Sequence, residues 1–269
     1  MKQNFQIKLK ESGFIKPYKG DLDMRFSIDV DLLQEEIPKD YRKMIVSFFK
    51  KAFEDNNPEY YKKQYVNEEN KMKEFVFSVF MERPDIKKEN ENISVPDKRI
   101  KIFFSSYNPE DGLNIYNALM LKQDKIYKYK DFQICPRHIR LVREKTIRGN
   151  EVTFKTLSPV VIKEHKGDNK TTWYHKLDSE AGREQFGINL KNQLKAGLGK
   201  GCISDYDEIR YEVIKNKELK IKHYDIIVNC NMAEIKFNAK PYILDYLYKA
   251  GVGSNRSRGF GCLDIIKEG

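Results

Sequence analysis

Residues 251–261 read GVGSNRSRGFG, a segment in which four glycines bracket two arginines and two serines with no acidic residue among them. Glycine lets the backbone take positive φ and lets backbone N–H groups approach a ligand closely. Arginine supplies planar donors that match a phosphate. By itself this segment, hereafter the glycine loop, is compatible with a polyanion site and equally with a tight turn before a last strand.

The neighbours of the glycine loop decide which known motif it can belong to. A helical pattern that begins at Pro241 precedes the loop, and an apolar strand pattern, Cys262–Ile266, follows it. Residues 258–265 nearly fit the RRM signature, but that signature lies on a third strand after which a helix and a further strand must come. A P-loop would end in G-K-[ST] and would open a helix rather than precede a strand. The loop is therefore expected to join the last helix of a domain to its last strand.

Hydrophobic periodicity predicts the same order of elements, β-α-β-β-α-β, in both halves of the chain. In the first half the predicted strands cover Phe5–Lys10, Met24–Val30, Phe75–Met81, Arg99–Ser105 and a bent strand over 132–142, and the predicted helices begin at Pro38 and Pro109. In the second half the predicted strands cover 152–162, 209–214, 219–221, 224–237 and 262–266, and the predicted helices begin after Ser179 and at Pro241.

This order predicts the α+β class, with tandem ferredoxin-like (RRM-like) domains in which antiparallel sheets carry helices on one face. Two such domains fit a chain of 269 residues. The turn at Arg148-Gly149-Asn150 is the predicted boundary, which gives an N-terminal domain over 1–148 and a C-terminal domain with the glycine loop over 149–269.

Composition favours a nucleic-acid partner. The formal net charge is +10 and the sequence contains 16 Phe and 16 Tyr, a combination suited to phosphate attraction and base stacking; a generally lysine-rich protein is the alternative. The four cysteines are far apart and no histidines pair on a helix face, so neither a metal nor a disulfide framework is expected. No apolar signal core or membrane-length run is present, which predicts a cytoplasmic protein without membrane contact.

Four segments, in this order along the chain, resemble one known family: the CRISPR-associated repeat-RNA endoribonucleases of the Cas-six family, within the RAMP superfamily. The helix over Tyr41–Phe53, followed by Asn57-Pro58, looks like the first helix of that family. Residues 75–81, FVFSVFM, look like its F-T-[FY]-S strand, and residues 155–160, KTLSPV, look like the T-L-S-P segment of its second domain. The glycine loop with the CLDI that follows is similar to its glycine-rich loop in length and location.

The resemblance implies metal-independent cleavage within the CRISPR repeat of a precursor RNA, without a cofactor. The 2′-OH attacks the adjacent phosphate and leaves a 2′,3′-cyclic phosphate and a 5′-OH. Such a reaction needs a base at the 2′-OH, an acid at the departing 5′-oxygen and cations for the phosphorane charge. Matching the first helix and the F-T-F-S strand to the family pattern implies Lys50, Tyr65 and Lys73 as the catalytic residues.

The histidine that family members commonly carry after the first helix is absent, because the first histidine of this chain is His138. A tyrosine, with an ordinary pKa of about 10, is a poorer base than imidazole. Two hypotheses stay open. Either the protein is a slow or histidine-independent nuclease, in which Tyr65 positions or protonates the RNA, or it is a repeat-RNA-binding protein or effector-complex subunit with weak or no nuclease activity. The histidines expected to be superficial or structural rather than catalytic are His138, His165, His175 and His223.

CRISPR repeat RNA is the expected partner, with Arg256 and Arg258 as phosphate contacts supported by Ser254 and Asn255. The remaining predicted RNA-binding residues are Gly251, Gly253, Gly259 and Gly261 in the loop and Arg137, Arg140 and Arg183 outside it. Cascade-type effector subunits and a second copy of the chain are further candidate partners.

Overall fold

The computed structural model describes residues 24–67, 71–87, 89–166, 171–224 and 226–269. The strand predicted over Phe5–Lys10 lies outside these residues. Within the described ranges, no helix is both long and apolar enough to cross a membrane.

The first half forms a five-stranded antiparallel sheet covered by helices. The strands of this half are β1 (Arg25–Leu32), β2 (Glu36–Pro38), β3 (Phe75–Met81), β4 (Asn92–Ser94), β5 (Arg99–Ser106), β6 (Tyr127–Tyr129) and β7 (Phe132–Leu141). Its helices are α1 (Tyr41–Asn56), α2 (Pro58–Lys62) and α3 (Pro109–Met120), with a π-helical turn at Lys63–Asn67 after α2. The sheet has the order β3-β5-β1-β7-β6, and β2 pairs separately with β4.

The second half forms a four-stranded antiparallel sheet. The strands of this half are β8 (Glu151–Thr156), β9 (Ile162–Lys166), β10 (Thr171–His175), β11 (Arg210–His223), β12 (Ile226–Asn238) and β13 (Leu263–Glu268). Its helices are α4 (Glu180–Leu198), α5 (Ile203–Tyr206) and α6 (Pro241–Ala250), with 3₁₀ turns at Lys200–Cys202 and Arg256–Arg258. The sheet has the order β11-β12-β8-β13, and β9 pairs separately with β10.

Both halves follow one plan. If the four main strands of each half are numbered in chain order, both sheets run 2-3-1-4, with a helix after the first strand and another after the third. This is the ferredoxin-like plan, so the predicted α+β class and tandem architecture are confirmed. The division between residues 148 and 149 stays a prediction.

Aromatic side chains make the core of the first half. Phe26 and Phe104 are register partners across β1 and β5, and their rings stack at 4.6 Å. Phe49 of α1 meets the rings of Phe77 and Phe104 edge-on at 5.3 and 6.1 Å. The apolar 3-4 spacing of α1 therefore fixes this helix on the β3-β5-β1 face, as the periodicity predicts.

The helix boundaries follow local chemistry. Asn57 ends α1 and its side chain accepts a hydrogen bond from the backbone N–H of Tyr60 at 3.0 Å, which also begins α2. Ser179 caps α4 by accepting from the N–H of Gly182 at 3.0 Å, as predicted. Pro38, however, does not begin α1: it is the last residue of β2, and two residues separate it from the helix.

Two further strand predictions need correction. Asp85 to Pro96, a charged stretch that the sequence assigns to a turn, contains β4, whose Ile93 faces Ile37 of β2. The separate strands predicted over 209–214 and 219–221 are one strand, β11. A register shift between Val213 and Lys215 interrupts the alternation of apolar and polar residues there, which hides the continuity from a period-two pattern.

The sequence pattern places Leu113, Tyr116, Asn117 and Met120 on one side of α3. Met120 departs from this pattern because it is 39% exposed, whereas the buried set includes Ile115, Ala118 and Leu119.

Three buried arginines join the two halves through backbone carbonyls. Arg25 of β1 donates to the carbonyl oxygen of Leu263 at 2.6 Å, and Arg42 of α1 donates to that of Gly259 at 3.1 Å. In the opposite direction, Arg256 of the glycine loop donates to the carbonyl oxygen of Lys73 at 3.2 Å. These contacts hold the glycine loop against the first half.

Two phenylalanines of β3 provide a matched test of the first core. Phe77 is fully buried, whereas Phe80 is 58% exposed. We expect Phe77→Ala to lower the free energy of unfolding by about 3–5 kcal/mol because it leaves a cavity, and Phe80→Ala to lower it by less than about 1 kcal/mol. Chemical denaturation would measure both, and equal losses would contradict the core assignment.

Candidate functional site

A cleft of about 490 Å³ lies between the two halves. The first half contributes one wall through α1, the π-helical turn and the segment before β3, and the second half contributes the other through β9, α4, the end of β11 and the glycine loop. The side chains that matter for its chemistry are Lys50, Tyr65, Lys71, Lys73, Lys163, His165, Asn189, Asn192, Tyr224, Ser254, Asn255, Ser257 and Arg258.

The cleft is strongly basic. Its lining includes five cations with at least part of their surface exposed, hereafter the cleft cations: Lys50, Lys71, Lys73, Lys163 and Arg258. Among the described residues that line it, none is acidic. This excess of positive charge over the lining makes the cleft suited to a polyanion.

The structure brings together the three residues predicted to be catalytic. The ammonium nitrogens of Lys50 and Lys73 lie 4.8 and 4.9 Å from the ring centroid of Tyr65. Lys50 comes from the end of α1, Tyr65 from the π-helical turn and Lys73 from the segment that leads into β3. The tyrosine ring thus holds two cations close together by cation–π attraction.

Tyr65 itself stays a neutral phenol. Its ring stacks on Phe53 with centroids 6.1 Å apart. Burial, and secondarily the charge of Asp111, raise the pKa of Tyr65 above its ordinary value. A phenol of raised pKa is not a base near neutral pH, so Tyr65 can orient cations or donate a hydrogen bond, but it cannot supply a phenolate.

The glycine loop is closed on itself. A 3₁₀ turn, Arg256–Arg258, lies between two left-handed residues, Asn255 with φ 60° and Gly259 with φ 85°. The backbone N–H of Val252 donates to the carbonyl of Gly261 at 2.9 Å, and the N–H of Gly261 donates to that of Pro159 at 2.9 Å. A Cβ on Gly261 would lie 1.9 Å from the Val252 oxygen, which is why glycine is needed at this crossing.

Three glycines predicted to contact RNA are therefore structural. Gly251, Gly259 and Gly261 are buried, and their N–H groups donate to protein carbonyls. The backbone N–H groups at these three positions are therefore used within the protein and do not form the predicted polyanion site. Gly253 and Ser254 remain on the cleft side of the loop.

Arg256 also needs a new interpretation. Its side chain is 4% exposed, and its guanidinium donates to the carbonyl oxygens of Ala250 at 3.1 Å and Lys73 at 3.2 Å. It is a positioning residue that ties the loop to Lys73 rather than a phosphate contact. Arg258 is the exposed arginine of the loop, with its guanidinium 5.2 Å from the ring centroid of Tyr224.

The predicted arginines outside the loop do not reach the cleft. Arg137 forms ion pairs with Asp31 at 2.8 Å and with Asp124 at 3.0 Å. Arg140 pairs with Asp29 on the same sheet. Arg183 donates to the carbonyl of Asp178 at 2.6 Å, next to the beginning of α4.

Sequence reasoning missed the contribution of β9. Lys163 and His165 alternate along this strand and both line the cleft. The carbonyl of Lys163 accepts from the side chain of Asn189 at 3.1 Å, which fixes β9 on α4. The alternation of Lys163 and His165 is visible in the sequence, but it does not show which face of β9 lies against the first half.

No group of three or more histidine, cysteine, aspartate or glutamate side chains is placed to hold a metal in the part of the chain that the structure describes. The four cysteines are free and buried.

Together, the fold and the cleft define a tandem ferredoxin-like protein with a basic interdomain site. Residues 142–265 match the family model of the C-terminal part of CRISPR-associated protein Cas6. The second half of the chain thus matches the Cas6 family of CRISPR-associated proteins, as its resemblance indicates.

Solved structures of Cas6 and RAMP proteins share this fold over most of the chain. A Cas6-related protein from Pyrococcus furiosus is 22% identical with a TM-score of 0.77, covering 92% of this chain and all of its own. A RAMP protein described as binding different RNA substrates is 18% identical with a TM-score of 0.76, covering 90% and 99%. A CRISPR-associated Cas6 protein is 21% identical with a TM-score of 0.68, again covering 90% and 99%. A search of curated proteins finds no significant match.

The packing of the glycine loop can be tested at Gly259. A Cβ there would lie 2.7 Å from the ring of Phe77, and φ is positive. We expect Gly259→Ala to lower the free energy of unfolding by about 1–3 kcal/mol. In the control Gly201→Ala, where an added Cβ meets nothing within 4 Å, the change should lie between zero and a gain of about 1 kcal/mol. Similar values for both variants would show that the loop does not need glycine at 259.

Proposed function

We propose that this protein binds CRISPR repeat RNA in the basic cleft and cleaves it without a metal, by attack of a 2′-OH on the adjacent phosphate. The observation that carries the proposal is the convergence of Lys50, Tyr65 and Lys73 opposite the exposed Arg258, in a cleft without acidic lining residues. The match of residues 142–265 to the Cas6 family model supports the choice of RNA as the polyanion.

Binding of RNA requires positive charge along the path of its phosphates. The cleft cations meet the RNA backbone from both walls: Lys50, Lys71 and Lys73 from the first half and Lys163 and Arg258 from the second. Ser254 and Asn255 add hydroxyl and amide groups at the loop, and Asn189 and Asn192 add amides at α4. Phosphate contacts of this kind give affinity and register, and they make binding sensitive to salt.

Cleavage requires stabilisation of the charge that develops on the phosphorane. Two ammonium groups held about 5 Å from one ring can bracket a single phosphate, which places positive charge where the transition state gains negative charge. In the reaction the 2′-hydroxyl gives its proton to an acceptor outside this trio as the 2′-oxygen forms a bond to phosphorus. The bond from phosphorus to the 5′-oxygen breaks, and an ammonium group of the Lys50–Lys73 pair protonates the departing oxygen. Tyr65 acts as a positioning residue for both ammonium groups.

An alternative function is binding of repeat RNA without cleavage, either alone or as a subunit of an effector complex. The raised pKa of Tyr65 favours this alternative, because a phenol with a raised pKa cannot act as a base for cleavage. The two functions share the cleft and differ only in whether the bound RNA is cut.

Cleavage can be tested with repeat RNA in EDTA. We expect a discrete product with a 5′-OH end, and we expect Lys50→Ala and Lys73→Ala each to lower the single-turnover rate on the order of 10²–10³ because a charge-stabilising donor is lost. Lys51→Ala is the matched control, since Lys51 is the next residue of α1 and pairs with Glu54 and Asp55 in solvent; its rate should be unchanged. RNA that binds but stays intact would favour the alternative function.

Tyr65→Phe separates the ring from the hydroxyl. If Tyr65 only positions the two lysines, this variant should keep the rate within about tenfold of the native protein, because the ring that attracts both cations remains. A loss on the order of 10² in the same assay would instead assign proton transfer to the hydroxyl.

Of the residues in the glycine loop, we expect Arg258 to contribute most to repeat-RNA affinity. We expect Arg258→Ala to weaken repeat-RNA binding by about tenfold and to reduce the slope of log affinity against log salt by about 0.7. Arg99→Ala is the control, because Arg99 has an 82% exposed side chain in β5 and does not line the cleft. Unchanged affinity and slope in Arg258→Ala would remove the loop from the RNA interface.

A further inference from the structure

His165 lies in the cleft although it belongs to the second half. Side chains alternate along a strand, so Lys163 and His165 lie on one face of β9 while Glu164 lies on the other. The register partner of His165 on β10 is Thr172. Both Lys163 and His165 line the same cavity as Lys50, Tyr65 and Lys73.

The other described histidines are placed elsewhere. His138 is exposed on β7, and His175 pairs with Glu164 at 2.7 Å on the opposite face of the β9–β10 pair. His223 is 2% exposed and packs edge-on against Phe260. Within the described chain, His165 is thus the imidazole that lines the cleft.

The surroundings of His165 favour its neutral form. The charged and titratable groups that share the cleft with it are the cleft cations, the buried Arg256 and the phenols of Tyr65 and Tyr224. Tyr174, the register partner of Lys163, lies on the same face of the β9–β10 pair. Burial, and secondarily the charge of Lys163, lower the pKa of His165 below its ordinary value, so the imidazole is neutral at pH 7. Its Nδ1 lies 3.3 Å from the Thr172 hydroxyl oxygen. When Nδ1–H donates to that oxygen, Nε2 keeps a lone pair with which to accept a proton.

We propose that His165 is the general base for cleavage of the RNA bound in this cleft. The inference rests on the proposed function, which lacks a proton acceptor. In the step, His165 Nε2 takes the proton of the attacking 2′-OH as the bond from the 2′-oxygen to phosphorus forms. The bond from phosphorus to the 5′-oxygen then breaks, and that oxygen receives its proton from the Lys50–Lys73 pair. Solvent afterwards removes the proton from the imidazolium and returns one to the lysine.

The test compares His165→Ala and His165→Gln with His138→Ala in single-turnover cleavage of repeat RNA in EDTA, at a series of pH values. We expect both His165 variants to lower the rate on the order of 10²–10⁴, while the affinity for RNA stays within about threefold because the phosphate contacts remain. The native rate should rise with pH through the apparent pKa of the imidazole and level off above it, since only the neutral form accepts a proton. This limb should vanish in the His165 variants, and added imidazole should restore part of the rate of His165→Ala.

The outcomes separate the two proposals. If the native protein cleaves and the His165 variants cleave equally fast with the same pH profile, the assignment of His165 falls and the proposed nuclease function stands. If the native protein binds RNA without cleaving it, both the proposed nuclease function and the role of His165 as a base are wrong.

A measurement that needs no turnover tests the placement of His165. NMR titration of histidine-labelled protein, free and with repeat RNA carrying a 2′-deoxy group at the cleavage site, should show a raised pKa for His165 in the complex because a phosphate then lies beside it. The His138 signal is the internal control. An unchanged His165 titration would overturn the proposal even if the variants lose activity through misfolding.

Discussion

The two halves of this protein are held together by buried arginines that donate to backbone carbonyls instead of carboxylates. Arg25, Arg42 and Arg256 are each no more than 6% exposed. Removing a guanidinium from water costs several kcal/mol unless its donors and charge are well satisfied. Here carbonyl oxygens accept from the donors, and aromatic rings face two of the cations: Tyr248 for Arg25, and Tyr41 with Phe260 for Arg42. The contacts of these three arginines therefore add no negative charge beside the cleft, whereas Asp40 joins the halves by accepting from the backbone N–H of Tyr224 at 2.9 Å.

The cleft in turn concentrates cations from both halves. Tyr65 attracts both Lys50 and Lys73 by cation–π interaction, with their ammonium nitrogens 4.8 and 4.9 Å from its ring centroid. On the other wall, Lys163 is close enough to Arg258 for that cation to lower its pKa, after the larger effect of burial. A ligand that binds only the folded protein stabilises it by mass action. An anionic ligand should therefore relieve repulsion that the free protein stores at this place.

The fold class could be predicted from the sequence, but the individual roles of the residues in the site could not. β3 and the cap of α4 were predicted at their observed positions because strand alternation and Ser179 act locally. Lys50, Tyr65 and Lys73 came from family resemblance, and their contact depends on how three separate elements pack. Arg256 and Arg258 are two residues apart and chemically identical, yet one is buried and the other exposed. That difference arises because the 3₁₀ turn points one guanidinium at the carbonyl of Lys73, which no local pattern encodes.

The same reasoning explains why a histidine missing from the first half does not leave the site without an imidazole. A cleft between two domains can take each chemical group from either wall, since only the final distances matter to a reacting phosphate. Here the first half supplies the paired ammonium groups, and the second half supplies Arg258 and, on β9, His165. Neither half holds the full set, so the relative placement of the halves becomes part of the chemistry. Arg256 donates to the residue that carries one of the ammonium groups, and Arg42 donates to the loop that carries Arg258. The contacts that hold the halves together are therefore also the contacts that set the spacing across the cleft.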